Sequence, residues 1–246
     1  MSFSVTVLGS AAMYQTNERA CSGYLLEAGD KRIWMDAGGG TWRNLQKSID
    51  FSDIDGVVLS HRHPDHTIDL FQCFHARRYG GPEPLEVIPL WAPAETIERL
   101  VAFSPELDES FDIQAVSAGE AVKLDEVGLS FFEMVHPAET LGIRAEFEGT
   151  AFAYSSDTGP GGDLAGLASG TQLFICEATF QNSDEEWTGH MSAAQAGAAA
   201  HSAGAERLLL SHLPANRDVE LSLTEAVERS GDIRVDLAFD GLKLEI

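Results

Sequence analysis

Four candidate ligands fall within six residues at His61-Arg62-His63-Pro64-Asp65-His66. Imidazole and carboxylate donors of this kind suit zinc, and also manganese or iron. Two histidines one residue apart can face one metal, and Asp65 with His66 can face another. A metal pair so held polarises a phosphoryl or carbonyl oxygen and makes a nucleophile of water near neutral pH. The bland alternative is a polar loop that happens to be His-rich. Density speaks against it, because five of the eight histidines lie here or just past other apolar runs. His136 follows Phe131-Phe132-Glu133-Met134-Val135, and His212 follows Leu208-Leu209-Leu210-Ser211. Asp157 follows Ala151–Tyr154 through Ser155-Ser156. A lone His past a strand is usually an ordinary surface residue. Together these residues make seven ligands, which suits two metals.

The elements that must position them alternate in type. The opening half reads as strands at Val5–Leu8, Gly23–Leu26, Ile33–Asp36 and Val57–Ser60. A helix at Thr67–Arg78, a strand at Leu85–Leu90 and a helix at Ala94–Phe103 follow, the last with Pro93 just before it. The second half repeats the order. Strands are expected at Ala121–Leu124, Leu129–Val135, Gly142–Phe147, Ala151–Tyr154, Gln172–Glu177 and Leu208–Ser211, with a hairpin turn at Glu148-Gly149-Thr150. Ser192 N-caps an Ala-rich helix to about His201, and Asp218–Arg229 reads as another helix. Val235–Phe239 and Leu242–Ile246 read as a closing strand pair around Asp240-Gly241. Strands interleaved with helices in both halves predict two sheets covered outside by helices, a four-layer αββα sandwich, here expected as one domain over 1–246. Rigid strands that end in ligand-bearing loops are what a metal site needs. Asp36, at the end of its strand, is a candidate to orient a metal-bound His or to stabilise its own turn.

His61-x-His63-x-Asp65-His66, then His136, Asp157 and His212 in that order, resembles the five-motif signature of the metallo-β-lactamase superfamily. The likeness extends to the Leu8-Gly9-Ser10 turn and the Trp34-Met35-Asp36-Ala37-Gly38 segment. It implies the αββα fold. It also implies that His61, His63 and His136 hold one metal, that Asp65, His66 and His212 hold the second, and that Asp157 bridges them. Cys176-Glu177-Ala178-Thr179-Phe180 and Gly189-His190-Met191-Ser192 resemble the ribonuclease-Z-like branch. There a Glu supports a His that contacts the scissile phosphate, which here implies Glu177 and His190 alongside Asp65 as catalytic residues. The bland alternative for His190 is an ordinary residue before a helix cap. The N-terminus of the helix after Ser192 is also suited to anion binding.

One departure matters. Members that process tRNA carry a long arm between the third and fourth motifs, and the interval from His136 to Asp157 is too short for it. The segments Ser22-Gly23-Tyr24-Leu25-Leu26, Arg77-Arg78-Tyr79 and Tyr154-Ser155-Ser156-Asp157-Thr158-Gly159, with the tail Leu244-Glu245-Ile246, are instead similar to compact bacterial cyclic-nucleotide phosphodiesterases. The implied function is a dinuclear metal-dependent hydrolase of a small phosphodiester such as a 3',5'-cyclic nucleotide, with zinc as first choice of metal. Alternatives are a ribonuclease-Z-like RNA endonuclease, a lactone or thioester hydrolase, and a non-catalytic metal-binding protein.

Composition narrows the partners. With 39 acidic and 16 basic residues the net charge is −23, which repels polyanions and argues against a stable nucleic-acid partner. Arg77-Arg78 is the one basic cluster and reads best as a favourable helix C-terminus. His75 and His201 fall in helical stretches outside the motifs and are expected to be structural. Cys21, Cys73 and Cys176 have no metal spacing and are expected to be buried thiols. No apolar run reaches membrane-span length, and Met1-Ser2-Phe3-Ser4-Val5 reads as the approach to a first strand rather than a leader. The expectation is a cytoplasmic protein without a membrane partner that forms a homodimer, as relatives of this type often do.

Overall fold

A computed structural model describes residues 2–184 and 187–246. The chain divides into two compact units, Met1–Val116 with Asp240–Glu245, and Ser117–Phe239 with Ile246. The first unit carries strands β1 (Phe3–Gly9), β2 (Gly23–Ala28) and β3 (Lys31–Met35), helix α1 (Thr41–Ser48), strand β4 (Gly56–Val58), helices α2 (Pro64–Thr67) and α3 (Leu70–Tyr79), strand β5 (Ile88–Ala92), helix α4 (Ala94–Phe103) and strand β6 (Phe111–Ala115). The second carries β7 (Ala121–Leu124), β8 (Val127–Glu133), β9 (Leu141–Phe147), β10 (Thr150–Tyr154), α5 (Leu164–Leu167), β11 (Leu173–Glu177), α6 (Ala193–Ala203), β12 (Arg207–Ser211), α7 (Val219–Val227) and β13 (Arg234–Leu237). Strand β14 (Lys243–Glu245) returns to the first unit. Among the described residues no helix is long and apolar enough to cross a membrane.

The first unit's sheet runs β14-β1-β2-β3-β4-β5-β6. Its core puts Leu25, Trp34, Val57 and Leu90 of the sheet against Leu45 of α1, Leu70 and Phe74 of α3 and Leu100 of α4. Strands β3 to β6 pair in parallel, and β1 runs with β3 because both are antiparallel to β2. The C-terminal ends of β1, β3 and β4 therefore share one sheet edge. That edge carries Met13, Asp36 and the His61–His66 loop.

The second unit's sheet runs β13-β12-β11-β10-β9-β8-β7. Phe174, Cys176, Leu208 and Leu210 pack against Leu167 of α5, Ala196 and Ala200 of α6 and Ala226 of α7. Strands β10 to β13 are parallel, and β8 runs with them because β9 is antiparallel to both β8 and β10. The loops after β8, β10, β11 and β12 thus leave one edge, which carries His136, Asp157 and His212 in loops and Glu177 at the end of β11. Open sheets with parallel strands place functional groups at this edge.

Most expected elements are present, with shifted ends. The expected Leu85–Leu90 strand lies at Ile88–Ala92, and Thr67–Arg78 splits into α2 and α3, with Pro64 in the first turn of α2. The expected turn at Glu148-Gly149 has positive φ at both residues, 50° and 82°, the geometry of a two-residue hairpin loop that matches strand twist. The closing strands do not pair with each other. β13 lies beside β12, and β14 beside β1. Asp240-Gly241 separates them because the Asp240 carboxylate is committed to the first unit. It accepts from the N–H of Ala20 at 2.7 Å, from Ser10 Oγ at 3.2 Å and from Asn44 Nδ2 at 3.0 Å.

Candidate metal centre

In the first unit, strand β4 stops at Val58, and Leu59-Ser60 lead into the ligand loop. His61 Nε2 and His63 Nδ1 stand 3.0 Å apart. Two nitrogens on one tetrahedral zinc stand roughly 3.3 Å apart, as bond lengths of about 2.0–2.1 Å require. Asp65 Oδ2 lies 3.8 Å from His66 Nε2 and accepts the N–H of Met13 at 3.0 Å.

Asp36 sets the rings. It is fully buried, and its Oδ1 accepts the N–H of Ser60 at 2.7 Å. Its Oδ2 accepts from Ser60 Oγ and from His66 Nδ1, each at 2.7 Å. A carboxylate oxygen in this arrangement accepts, so His66 carries its proton on Nδ1 and offers the Nε2 lone pair. Ser60 Oγ gives its single proton to Asp36 and therefore accepts from His61 Nδ1 at 3.1 Å, which fixes the same tautomer there. Asp36 thus both orients the His66 ring and ties its own turn to the Ser60 backbone. Its φ is +54°, an unusual backbone conformation for a residue with a side chain.

The second unit assembles its set from separate strand ends. The two Asp157 oxygens diverge. Oδ1 lies 3.4 Å from His212 Nε2, and Oδ2 lies 3.9 Å from His136 Nε2. A carboxylate that turns its oxygens toward two imidazoles suits a bridging ligand. His136 Nδ1 donates to the carbonyl of Gly189 at 2.8 Å, which again leaves Nε2 as the lone-pair nitrogen. Ser156 and His212 have positive φ, 57° and 53°. In each unit, then, the donors are nitrogens and oxygens fixed in a form that can bind a divalent ion, and the residues fit such a group.

Glu177 ends β11 and is 1% exposed. Its Oε1 accepts from His190 Nδ1 and from the N–H of Thr158, both at 2.7 Å. Its Oε2 accepts from Thr179 Oγ1 at 2.7 Å and from the N–H groups of Met191 at 3.2 Å and Thr179 at 3.3 Å. Asp157, Glu177 and His190 could form a ligand group by proximity, with donor atoms within 4.8 Å of one another. The saturated hydrogen bonding of Glu177 makes it a holder of His190 instead. The His190 ring lies 5.0 Å from that of His136 and 5.6 Å from that of His212.

Other expectations resolve individually. Arg77 is buried and donates to the Glu86 carbonyl at 2.6 Å and the Phe51 carbonyl at 3.4 Å, so it ties the end of α3 to neighbouring loops. Burial pushes its guanidinium pKa down. Arg78 pairs with Glu109 and lies over the Tyr79 ring. His75 is exposed on α3, and His201 is exposed in the last turn of α6. All three cysteines are free and buried. Burial, reinforced by Asp65, pushes Cys21 up to about 11, and burial pushes Cys73 up to about 12. Ser192 caps α6 as expected, in a reciprocal box with Gln195. The expected anion site at that helix start is largely closed. The Ala193 N–H is bonded to the Phe180 carbonyl and the Gln195 N–H to Ser192 Oγ.

Residue types and spacing do not mark Ser60, which is one hydroxyl beside a denser motif. Nor do they point to Gly189, whose contribution is a carbonyl, or to Trp187, whose ring lies 5.2 Å from that of His190.

A family model described as "Beta-lactamase superfamily domain" matches residues 31–213. An uncharacterized protein of Mycobacterium leprae is 36% identical over 232 residues, covering 90% of this chain and 81% of the relative. The probable metallo-hydrolase YhfI of Bacillus subtilis is 28% identical over 225 residues, covering 85% of this chain and 86% of that protein. The crystal structure of YhfI, a metallo-β-lactamase fold protein, superposes with a TM-score of 0.91 at 24% identity over 99% of both chains, which shows the same fold. A ribonuclease Z of Bradyrhizobium is 27% identical over 301 residues, covering 98% of this chain and 99% of that enzyme.

Proposed function

Since this chain belongs to the β-lactamase superfamily of metallo-hydrolases, we propose that it is a dinuclear phosphodiesterase acting on a small phosphodiester such as a 3',5'-cyclic nucleotide. In this reading His61, His63 and His136 would hold one divalent metal, zinc as first choice, Asp65, His66 and His212 would hold the other, and Asp157 would serve both. When bound, the metals supply Lewis acidity toward the phosphoryl oxygens and a nucleophile from water at neutral pH.

The observation that carries the phosphorus assignment is the Glu177–His190 pair, 2.7 Å apart. Glu177 holds the Nδ1 proton, so the His190 ring has a fixed aim toward its neighbours His136 and His212. From there Nε2 donates to a phosphate oxygen or protonates the leaving alkoxide, the role of a general acid. Asp65, anchored by the Met13 N–H, accepts or orients the proton of the attacking water. An ester or lactone carbonyl has only one oxygen to stabilise and gives a second cationic donor less to do.

The likeness to ribonuclease Z favours phosphodiesters in general. Between His136 and Asp157 this chain has only the β9–β10 hairpin, and its charge of −23 disfavours a long polyanion. A small substrate follows. The test is a hydrolysis panel with zinc or manganese: cAMP, cGMP, bis(p-nitrophenyl) phosphate, a lactone, a thioester and a tRNA precursor. Turnover of the small phosphodiesters, with two metals per chain by elemental analysis, is expected. Turnover of the lactone or the tRNA precursor alone would overturn the assignment.

A further inference from the structure

The second unit contains a cavity of about 520 Å³ beside His190, lined in part by Phe180, Asn182, Trp187, Gln195 and Arg229. Its size is that of a small-molecule site. The catalytic roles above leave it without an occupant.

Its aromatic wall is built rather than incidental. Trp187 is 46% exposed, so much of its ring is open to a ligand. Its ring meets Phe180 edge-on at 6.5 Å and lies 5.2 Å from the His190 ring. Two glycines hold that placement. A Cβ on Gly189 would stand 2.5 Å from Trp187 Cη2, so the ring folds back over bare backbone. A Cβ on Gly159 would stand 1.7 Å from the Thr188 carbonyl oxygen, so that loop packs backbone to backbone.

The polar groups are mostly neutral. Gln195 Oε1 is held by the Ser192 N–H at 2.8 Å, so the amide NH₂ is what Gln195 has to offer a ligand. Asn182 adds a second exposed amide. Arg229 shares the rim with Glu228 and Asp184, so the cavity does not favour an anion. An alkyl chain would bury the amides without partners, which costs binding. A planar heterocycle with a hydrogen-bonding edge meets both requirements. It stacks on Trp187 and is read by the amides.

We propose that this cavity seats the nucleobase of the substrate, with Trp187 as its stacking platform and the residue that sets preference for base-bearing substrates. The inference rests on the phosphodiesterase reading for the phosphate at His190, but the base site is testable apart from it. The probe for the cavity alone is adenosine, which has no phosphate. It should quench tryptophan fluorescence of the wild-type protein and not that of Trp187→Leu, since Trp34 and Trp91 are buried and Trp42, packed between Trp34 and Phe51, does not line the cavity. The probe for selectivity is the ratio of kcat/KM for cAMP to that for the abasic ribose 3',5'-cyclic phosphate. Loss of one base stack should lower that ratio by about tenfold in Trp187→Leu, and Trp187→Phe should recover much of it.

A wild-type ratio near one, or quenching that persists in Trp187→Leu, overturns the base site. Turnover of bis(p-nitrophenyl) phosphate without any adenosine binding also overturns it and leaves the phosphodiesterase reading standing. Adenosine binding through Trp187 without turnover of any phosphodiester supports the base site and removes the phosphodiesterase reading.

Discussion

The two candidate ligand sets are made in opposite ways. The first unit draws His61, His63, Asp65 and His66 from one loop of six residues. The second draws His136, Asp157 and His212 from the ends of three strands, while Glu177, at the end of a fourth, holds His190. The loop is local, so its accuracy must be imposed from outside. Asp36 and Ser60 do this by fixing the His66 and His61 tautomers. The strand-end set is non-local, and sheet register supplies its accuracy. Both concentrate backbone strain. Of the six described non-glycine residues with positive φ, Asp125 and Glu148 lie in hairpin turns, and Met13, Asp36, Ser156 and His212 lie at or beside candidate ligand residues. Strain of this kind persists where surrounding structure over-determines it.

The comparison breaks most directly at Asp157. Asp157→Ala should abolish turnover and lower metal content from two ions per chain toward none, measured by elemental analysis. If one ion stays tightly bound, the loop of the first unit is self-sufficient and the two sets are not equal partners. His190→Ala comes next. It should lower kcat by roughly 10²–10⁴-fold with both metals retained. A parallel loss of metal would make His190 a ligand. Asp36→Asn tests the claim that the loop needs outside orientation. Metal affinity should fall by about 10–100-fold in competition with a chelator, while Thr179→Val in the second unit should leave affinity unchanged and lower kcat. Equal effects on affinity would erase the distinction.

The smallest effect concerns the cores. Cys73 is raised to about 12 by burial. Well below pH 9 the thiol is protonated in folded and unfolded chains alike, and it adds no pH dependence to stability. Above pH 9 the unfolded chain releases a proton that the folded chain retains, so stability falls as pH rises toward 12. Cys73→Ala should flatten that slope in alkaline denaturation curves. An unchanged slope would mean that Cys73 is not the group responsible.

The same contrast explains what could be read in the sequence. His61 to His66 are legible because their spacing is their geometry. His136, Asp157 and His212 show only as polar residues after apolar runs, and their common edge depends on strand directions that periodicity does not give. Helix α1, Thr-Trp-Arg-Asn-Leu-Gln-Lys-Ser, has no legible apolar period, because only Thr41 and Leu45 are buried along it. Strand β6 has none either, because Phe111 is its one buried residue. Asp240-Gly241 has the composition of a hairpin turn, and only tertiary bonds to Ala20, Ser10 and Asn44 reveal that it parts two strands instead. Trp187 carried no pattern at all. Its placement depends on the missing side chain of Gly189.

The separation of β13 from β14 has a consequence during synthesis. When a ribosome has delivered the chain through Val116, nearly all of the first unit exists, but the strand that covers the β1 edge does not. Asp240 and β14 follow about 124 residues later, which at translation rates of about 5–20 residues per second is a wait of roughly 6–25 seconds. Throughout that interval β1 presents open backbone groups, the kind of edge on which neighbouring nascent chains pair and aggregate. Slower translation between the two units should therefore cost soluble yield, and a chaperone that shields strand edges should restore it.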